Sequence, residues 1–219
     1  MEIRSIRGID EFRAVEDLQK EIWQIEDREI VPAVHMIPAC EVGAILLGAF
    51  DGKDLVGFVY GFPGFEQGQP IIHSDMLAVR ASHRDHGLGR KLKFAQRDHA
   101  LERGVRCITW TFDPSQARNA HLNLNVLGAT ANRYRRDFYG QTSSPLHAGG
   151  TDRLWVTWEL QGESTPPGDE MRRIPISEDR SAMRDQFEEA FAAGFVAVKF
   201  ENGAYVLTRY PRMASTMSG

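Results

Sequence analysis

The chain has 219 residues and a mass of 24.7 kDa, enough for one substantial core with an appendage or for two small domains. Its 26 basic residues are scattered among 30 acidic ones, for a formal net charge of −4 and a pI near 6.0. No overall field therefore draws it to nucleic acid or to an anionic membrane, and any anion site must be local.

Apolar runs such as Gly43–Phe50 fall well short of the ~20 residues that cross a bilayer. The N-terminus, with Glu2 and Asp10 among its first charges, lacks the layout of a signal peptide, so a cytoplasmic protein is expected. Cys40 and Cys107 are far apart and have no histidines at metal-ligand spacing, which favours buried free thiols over a disulfide, a catalytic thiol or a metal site.

In chain order, Ile3–Ile6 reads as a short strand, and Asp10 is placed to cap a helix whose apolar residues Phe12, Val15, Leu18 and Ile22 recur at near-helical spacing. Pro32–Gly43 is helical or irregular. Ile45–Phe50 and Leu55–Phe62 are strand-like, and the Asp51-Gly52-Lys53-Asp54 between them predicts a hairpin. A loop is expected over Pro63–Pro70, then a strand over Ile71–Val79 that feeds the glycine-bearing segment Arg84–Gly89. Leu88, Leu92, Ala95 and His99 mark one face of the next helix, which Gly104 terminates.

Cys107–Phe112 is a β-rich run, Arg118–Leu127 a helix ended by Gly128, and Ala131–Tyr139 and Leu154–Leu160 two further strands. Helices that separate strands imply an α/β fold with a mixed sheet over residues 1–160. Residues 161–170, with Pro166-Pro167-Gly168, read as a linker. In residues 171–219, Met183, Phe187, Ala190 and Phe191 form a helical stripe, followed by strands Phe195–Phe200 and Tyr205–Tyr210 across Glu201-Asn202-Gly203. This helix plus hairpin is too small to stand alone, so it is expected to dock on the main sheet or on another subunit, its exposed edge open to pairing in a homodimer.

A phosphate group needs several main-chain N–H donors that converge without intervening side chains, and a glycine-bearing turn at a helix N-terminus supplies them. Arg84-x-x-Gly87-x-Gly89 meets that need, and Arg84, His86, Arg90 and Lys91 add local positive charge. A dinucleotide fold would want glycine or alanine near position 92, where Leu92 stands, and the Gly-Lys-Ser/Thr of a nucleotide P-loop is absent.

Leu77-Ala78-Val79 followed by Arg84-x-x-Gly87-x-Gly89 resembles the pyrophosphate-binding motif of the GNAT N-acetyltransferase superfamily, and the resemblance extends in element order over roughly residues 1–160. It implies six or seven strands parted by a splayed pair, with acetyl-coenzyme A lying in the V. The strand segment Leu77, Ala78 and Val79 would run along the pantetheine arm, chiefly through main-chain groups of Leu77 and Val79, while Arg84, His86, Gly87, Leu88, Gly89 and Arg90 would hold the pyrophosphate. A second family motif is similar to Ile108–Phe112 followed by Asn119 to Leu127-Gly128-Ala129, but more loosely. Ala129 replaces the usual aromatic residue, and Leu124 stands where many members carry the tyrosine that protonates the departing thiolate. Asn119 and Asn123, one helical turn apart, can face the cofactor together, although Asn119 reads equally as a helix cap.

Acyl transfer to an amine requires a base and stabilisation of the carbonyl oxygen, for which a main-chain N–H near Leu77 is the family-like donor. Asp75 and His73 are the base candidates, expected on one face of the strand because alternate residues point the same way. Asp75 reads equally as an acceptor for a neighbouring loop, and His73 as a structural histidine. Glu41 and Tyr60 are substrate-site candidates or rim and core residues; Asp113-Pro114 ends a strand; Tyr134, Arg135, Arg136, Phe138 and Tyr139 read as a solvated strand face in preference to a patch for an acidic substrate. Residues 63–70 and 140–150 are expected to line the acceptor pocket. The expected function is transfer of an acetyl group from acetyl-CoA to the amine of a small molecule by direct attack in a ternary complex. The alternatives are a non-catalytic acyl-CoA-binding module, which Leu124 supports, and an interaction scaffold built on the tail.

Overall fold

A computed structural model describes residues 1–161, 168 and 170–209. Its strands are β1 (Glu2–Ser5), β2 (Ile45–Asp51), β3 (Asp54–Glu66), β4 (Gln69–Val79), β5 (Cys107–Phe112), β6 (Thr130–Arg135), β7 (Arg153–Glu159), β8 (Met171–Pro175), β9 (Phe195–Glu201) and β10 (Ala204–Arg209). The helices are α1 (Gly8–Trp23), α2 (Ala33–Glu41), α3 (Leu88–Glu102), α4 (Ala117–Ala120), which continues into a π-helical turn over His121–Val126, and α5 (Arg180–Ala192). The strands form one sheet in the order β1-β2-β3-β4-β5-β7-β6-β9-β10-β8.

Strand alternation divides the core in two. On one face α1 and α2 pack Phe12, Val15, Leu18 and Met36 against Leu46, Phe50, Phe58, Tyr60, Met76 and Ala78. On the other, Leu88 and Leu92 of α3 join Ile45, Leu47, Val59, Ile72 and Ile108, a core that Met183 and Phe187 of α5 extend. Asp10 lies within the first turn of α1 rather than capping it; Arg7 is the N-cap, and its N–H donates to the Glu11 carboxylate at 2.7 Å.

β4 and β5 are the parallel pair among the described strands, and they meet only at Ile72↔Ile108 and His73↔Thr109 before splaying. The register of β4 with β3 slips from Tyr60↔Met76 to Phe62↔His73, so Ser74 and Asp75 together oppose Gly61, a β-bulge. A Cβ at Gly61 would come within 2.8 Å of Gln96 Nε2 and Ile72 Cγ2 and 2.9 Å of the His73 carbonyl, so the bulge closes only against glycine.

The expected loop over residues 63–70 is instead strand. β3 runs to Glu66 and β4 starts at Gln69, joined by Gln67 and Gly68, both at positive φ. Pro63 is tolerated because β2 pairs with β3 only as far as Gly61, leaving that stretch of β3 an edge. The strand expected to reach Tyr139 ends at Arg135, and the chain turns at Asp137 (φ 41), whose N–H donates to Asp152.

In the tail, β9 pairs with β6 at Ala131↔Ala197. Phe187 of α5 stacks on Tyr134 at 5.8 Å, and the Asn125 side chain makes two hydrogen bonds to the Phe200 main chain, at 2.6 and 2.8 Å. β8 covers the free edge of β10 that the sequence offers for pairing; its Met171–Pro175 carries a single buried residue, Ile174, and so gives no strand signal. Most of the expected linker, and Tyr210, lie outside the described residues.

Candidate functional site

β4 ends at Val79, and after the short helical turn Ala81–His83 the chain reverses through Asp85 (φ 65) and Gly87 (φ 72). Gly87 is the N-cap of α3 and supplies no side-chain cap. Lys91 N–H returns to the Gly87 carbonyl at 3.0 Å, so the N–H groups of Leu88, Gly89 and Arg90 lack an intrahelical acceptor and sit at the positive end of the helix dipole. A Cβ at Gly87 would meet nothing within 4 Å, which leaves open space in front of these donors. His86 and Arg90 are exposed beside them, Arg84 Nε folds back onto the Val79 carbonyl at 2.9 Å, and Arg118 of α4 forms an ion pair with Asp85. Uncapped donors beside bare glycines fit a diphosphate.

Ala78 pairs with Phe58, and Arg80 N–H donates to Val56 O at 2.8 Å, so alternate residues of β4 bond to β3. Leu77 and Val79 therefore turn their main-chain groups the other way, into the gap that β5 leaves. Ala78, between them, is tied to β3, and its methyl is in the core beneath α1 and α2.

The gap opens into a cleft of about 690 Å³, a size typical of small-molecule sites. Ser74, Asp75, Met76 and Leu77 form one wall, and Trp110, Phe112, Asn119, Leu122 and Asn123 the other. Asn119 and Asn123 thus share the cleft. Leu124 is 3% exposed in the α3-side core, so the position usual for the tyrosine does not face the site. Lys93 of α3 reaches the cleft although only 2% exposed: Nζ donates to Ser74 Oγ at 2.9 Å and Gln96 Oε1 at 3.3 Å, and sits 3.8 Å from the Trp110 ring centroid. Burial pulls its pKa down to about 7. It fastens the bulge of β4 to β5 across the splay.

Asp75 opens onto the cleft from the bulge. Its side chain is reachable from solvent but walled by protein, and that desolvation raises its pKa, with His35 opposing. His73 points to the same face of the sheet as Asp75 but lies nearer the β3–β4 hairpin and does not line the cleft. Its ring lies 5.5 Å from Phe62 and 4.8 Å from Trp155, Nδ1 bonds Thr109 Oγ1 at 2.9 Å, and burial lowers its pKa to about 4. Its ring is uncharged at neutral pH.

The far wall comes from residues after β6. Tyr139 Oη bonds Thr111 Oγ1 at 3.1 Å, and its ring lies parallel to His147 at 6.1 Å. Arg153, at the start of β7, also lines this end. Ser143 donates to Glu29, and Ser144 Oγ to the Trp23 carbonyl at 2.7 Å, so the loop after Tyr139 is laced to the α1–α2 connection.

Of the expected solvated face, Arg135, Arg136, Phe138 and Tyr139 are exposed, Tyr139 at the rim of the cleft, whereas Tyr134 bonds Asp152 and stacks inside. Glu41 is exposed at the end of α2, away from the cleft, and Tyr60 is a core residue whose hydroxyl has no described partner. Asp113 ends β5 and lines the cleft, held by Arg180 at 3.0 Å. Of the expected acceptor loops, residues 141, 142, 144, 146 and 147 line the cleft, whereas the 63–70 hairpin lies at the opposite end of β4, beside a separate groove with Arg106 and Arg133. Sequence reasoning missed Lys93 and Arg153 and placed Tyr139 on a solvated face in preference to a substrate patch. A signal existed for Lys93, which recurs with Gln96 and Ala100 at helical spacing; Arg153 had none, being brought to Tyr139 by pairing between distant strands. Among the described residues no helix is long and apolar enough to cross a membrane, and no cluster of metal-ligating side chains occurs.

Comparison with known proteins places this geometry. Residues 10–128 match the acetyltransferase (GNAT) family. Comparison with curated protein sequences finds no match. Among solved structures, yncA from Salmonella typhimurium, a putative acetyltransferase with its cofactor acetyl-CoA, superposes with a TM-score of 0.60 at 18% identity, covering 76% of this chain and 97% of that one. The aminoglycoside 6'-N-acetyltransferase from Enterococcus faecium gives 0.56 at 16% identity, over 75% and 99% of the two chains. The ribosomal-protein-S18-alanine N-acetyltransferase from Escherichia coli gives 0.55 at 16%, over 74% and 96%. At these identities the likeness speaks to fold. The family match spans more than half of the 219 residues, and the chain belongs to the GNAT acetyltransferase family.

Proposed function

We propose that the protein transfers an acetyl group from acetyl-coenzyme A to the amine of a small molecule, by direct attack in a ternary complex. The observation that carries this reading is the continuity of the site: uncapped N–H groups at the α3 N-terminus lead along the free main chain of Leu77 and Val79 into a cleft where Asp75 stands on the bulge. Acetyl-coenzyme A supplies the activated thioester. The N–H groups of Leu88, Gly89 and Arg90 bind its diphosphate, with Arg84 and His86 adding charge and Gly87 keeping the approach clear. Leu77 and Val79 align the pantetheine arm, and the amides of Asn119 and Asn123 flank it from the opposite wall.

Asp75 is the base. An amine reaches the site as ammonium, and the Asp75 carboxylate takes one proton from its nitrogen. Its raised pKa brings the carboxylate closer to the amine in basicity than an ordinary aspartate would be. Tyr139, at the rim of the cleft with a hydroxyl whose pKa desolvation raises, gives its proton to the departing sulfur in place of a tyrosine at position 124 and regains one from the nitrogen, which sheds its second proton as the amide forms. A main-chain N–H near Leu77 stabilises charge on the carbonyl oxygen.

One observation favours a second reading, a non-catalytic acyl-CoA-binding module: Leu124 faces the core. Release of free thiol from acetyl-CoA across a panel of amines separates the two. Amine-dependent release that Asp75→Asn abolishes supports transfer; tight acetyl-CoA binding without release from any amine supports the binding module.

A further inference from the structure

The acceptor end of the cleft holds a charge that the proposed reaction leaves unused. Arg153 begins β7, whose Leu154, Val156 and Trp158 enter the α3-side core, so Arg153 and Trp155 point to the opposite face, where Thr111 and Tyr139 stand. Its residue is 5% exposed, yet it lines the cleft. The described hydrogen bond of its guanidinium is from Nη1 to the Asp152 carbonyl, 2.8 Å, and its centre lies 5.2 Å from the Tyr139 ring centroid.

Among the described residues no carboxylate comes within 4.0 Å of it. Both neighbouring carboxylates are engaged elsewhere. Asp152 is bound by Arg184 at 2.7 Å, by Tyr134 Oη and by Asp137 N–H; Asp113 is bound by Arg180 at 3.0 Å and by Ser115. A buried guanidinium without a counter-ion is costly, and burial accordingly lowers its pKa. Most of its fork of N–H donors is unspent, and that fork matches the two oxygens of a carboxylate. The diphosphate of the donor does not answer this need, because its binding elements, the α3 N-terminus and its loop, belong to the other side of the sheet.

We propose that Arg153 receives the carboxylate of the acceptor, so that the substrate is an amine that also carries a carboxylate, an amino acid or a close derivative, held with its amine toward Asp75. The proposal rests on reading this cleft as the acceptor site of an acetyltransferase.

The test compares each proteinogenic amino acid with its own carboxamide, which keeps the amine and removes the negative charge. Binding is read as the shift in melting temperature of the protein saturated with coenzyme A, and turnover as thiol release from acetyl-CoA. Expected is at least one acid that binds about 10- to 100-fold more tightly than its amide, the range for a charged hydrogen-bonded pair. That preference should collapse in Arg153→Gln and be partly kept in Arg153→Lys. If no acid binds better than its amide, or if the preference survives in Arg153→Gln, the proposal is overturned. The acid–amide comparison in the wild type decides the matter even if Arg153→Gln fails to fold. Failure of the transfer reading has a different signature: carboxylate-dependent binding with no thiol released.

Discussion

On the proposed reading, the cofactor end of the cleft offers main chain, and the acceptor end offers side chains. At the first, the donors are N–H groups of Leu88, Gly89 and Arg90 with Gly87 clearing space, and the free edges of Leu77 and Val79. At the second, Asp75, Tyr139, His147 and Arg153 come from a bulge, a loop and the start of β7. A main-chain site tolerates almost any residue except where space or φ demands glycine. A side-chain site fails with a single atom changed. The two ends should therefore respond to opposite kinds of substitution.

The largest effect should come from the cofactor end. Gly87→Val puts a β-branched residue at φ 72 and methyls into the space before the phosphate donors, and should weaken acetyl-CoA binding by about 100-fold or more in a calorimetric titration. Leu88→Met, which alters only a side chain facing the core, should bind normally. Equal losses in both would break the distinction.

At the acceptor end, Asp75→Asn should lower kcat by about 10²- to 10⁴-fold while acetyl-CoA affinity stays at the wild-type value. In the wild type, kcat/KM should fall as pH drops through the raised pKa of Asp75, because the base is then protonated; that limb should be missing in the variant. Tyr139→Phe should cost less, about 10-fold in kcat, because water can replace the proton source. An unchanged rate would remove Tyr139 from that role.

The smallest predicted effect on activity concerns His73, which lies outside the cleft. Its folded pKa of about 4 is below the 6.5 of the free side chain, so between those values the unfolded chain binds the extra proton and stability falls as pH falls. The loss approaches about 3 kcal/mol by pH 4. Denaturant unfolding at pH 7 and pH 5 should show a steeper loss in the wild type than in His73→Phe, with kcat in the variant within a few-fold. A large drop in kcat with an unaltered pH slope would return His73 to the chemistry.

Legibility in the sequence followed the same division. The glycine spacing at 87 and 89 after an apolar strand pointed to the anion site, because positive φ and bare approach leave a mark on residue type. The helices α1, α3 and α5 were legible from their apolar spacing. The bulge at Ser74-Asp75 was not, since it depends on which residue of β3 lies opposite; it turns Met76 to the same face as Asp75. Pro63 and Pro70 suggested a loop because their tolerance on an edge appears only once β2 is seen to stop at Gly61. Arg153 and Tyr139 meet through pairing of β5 with β7 and a turn at Asp137, contacts between segments remote in the chain.

A crystal structure of the protein with coenzyme A tests the central claim most directly. The account predicts diphosphate oxygens within hydrogen-bonding distance of the N–H groups of Leu88, Gly89 and Arg90, the pantetheine arm beside Leu77 and Val79, and the thiol directed at the Asp75 end of the cleft. Coenzyme A bound elsewhere, or with its diphosphate held by side chains away from the α3 N-terminus, would contradict it.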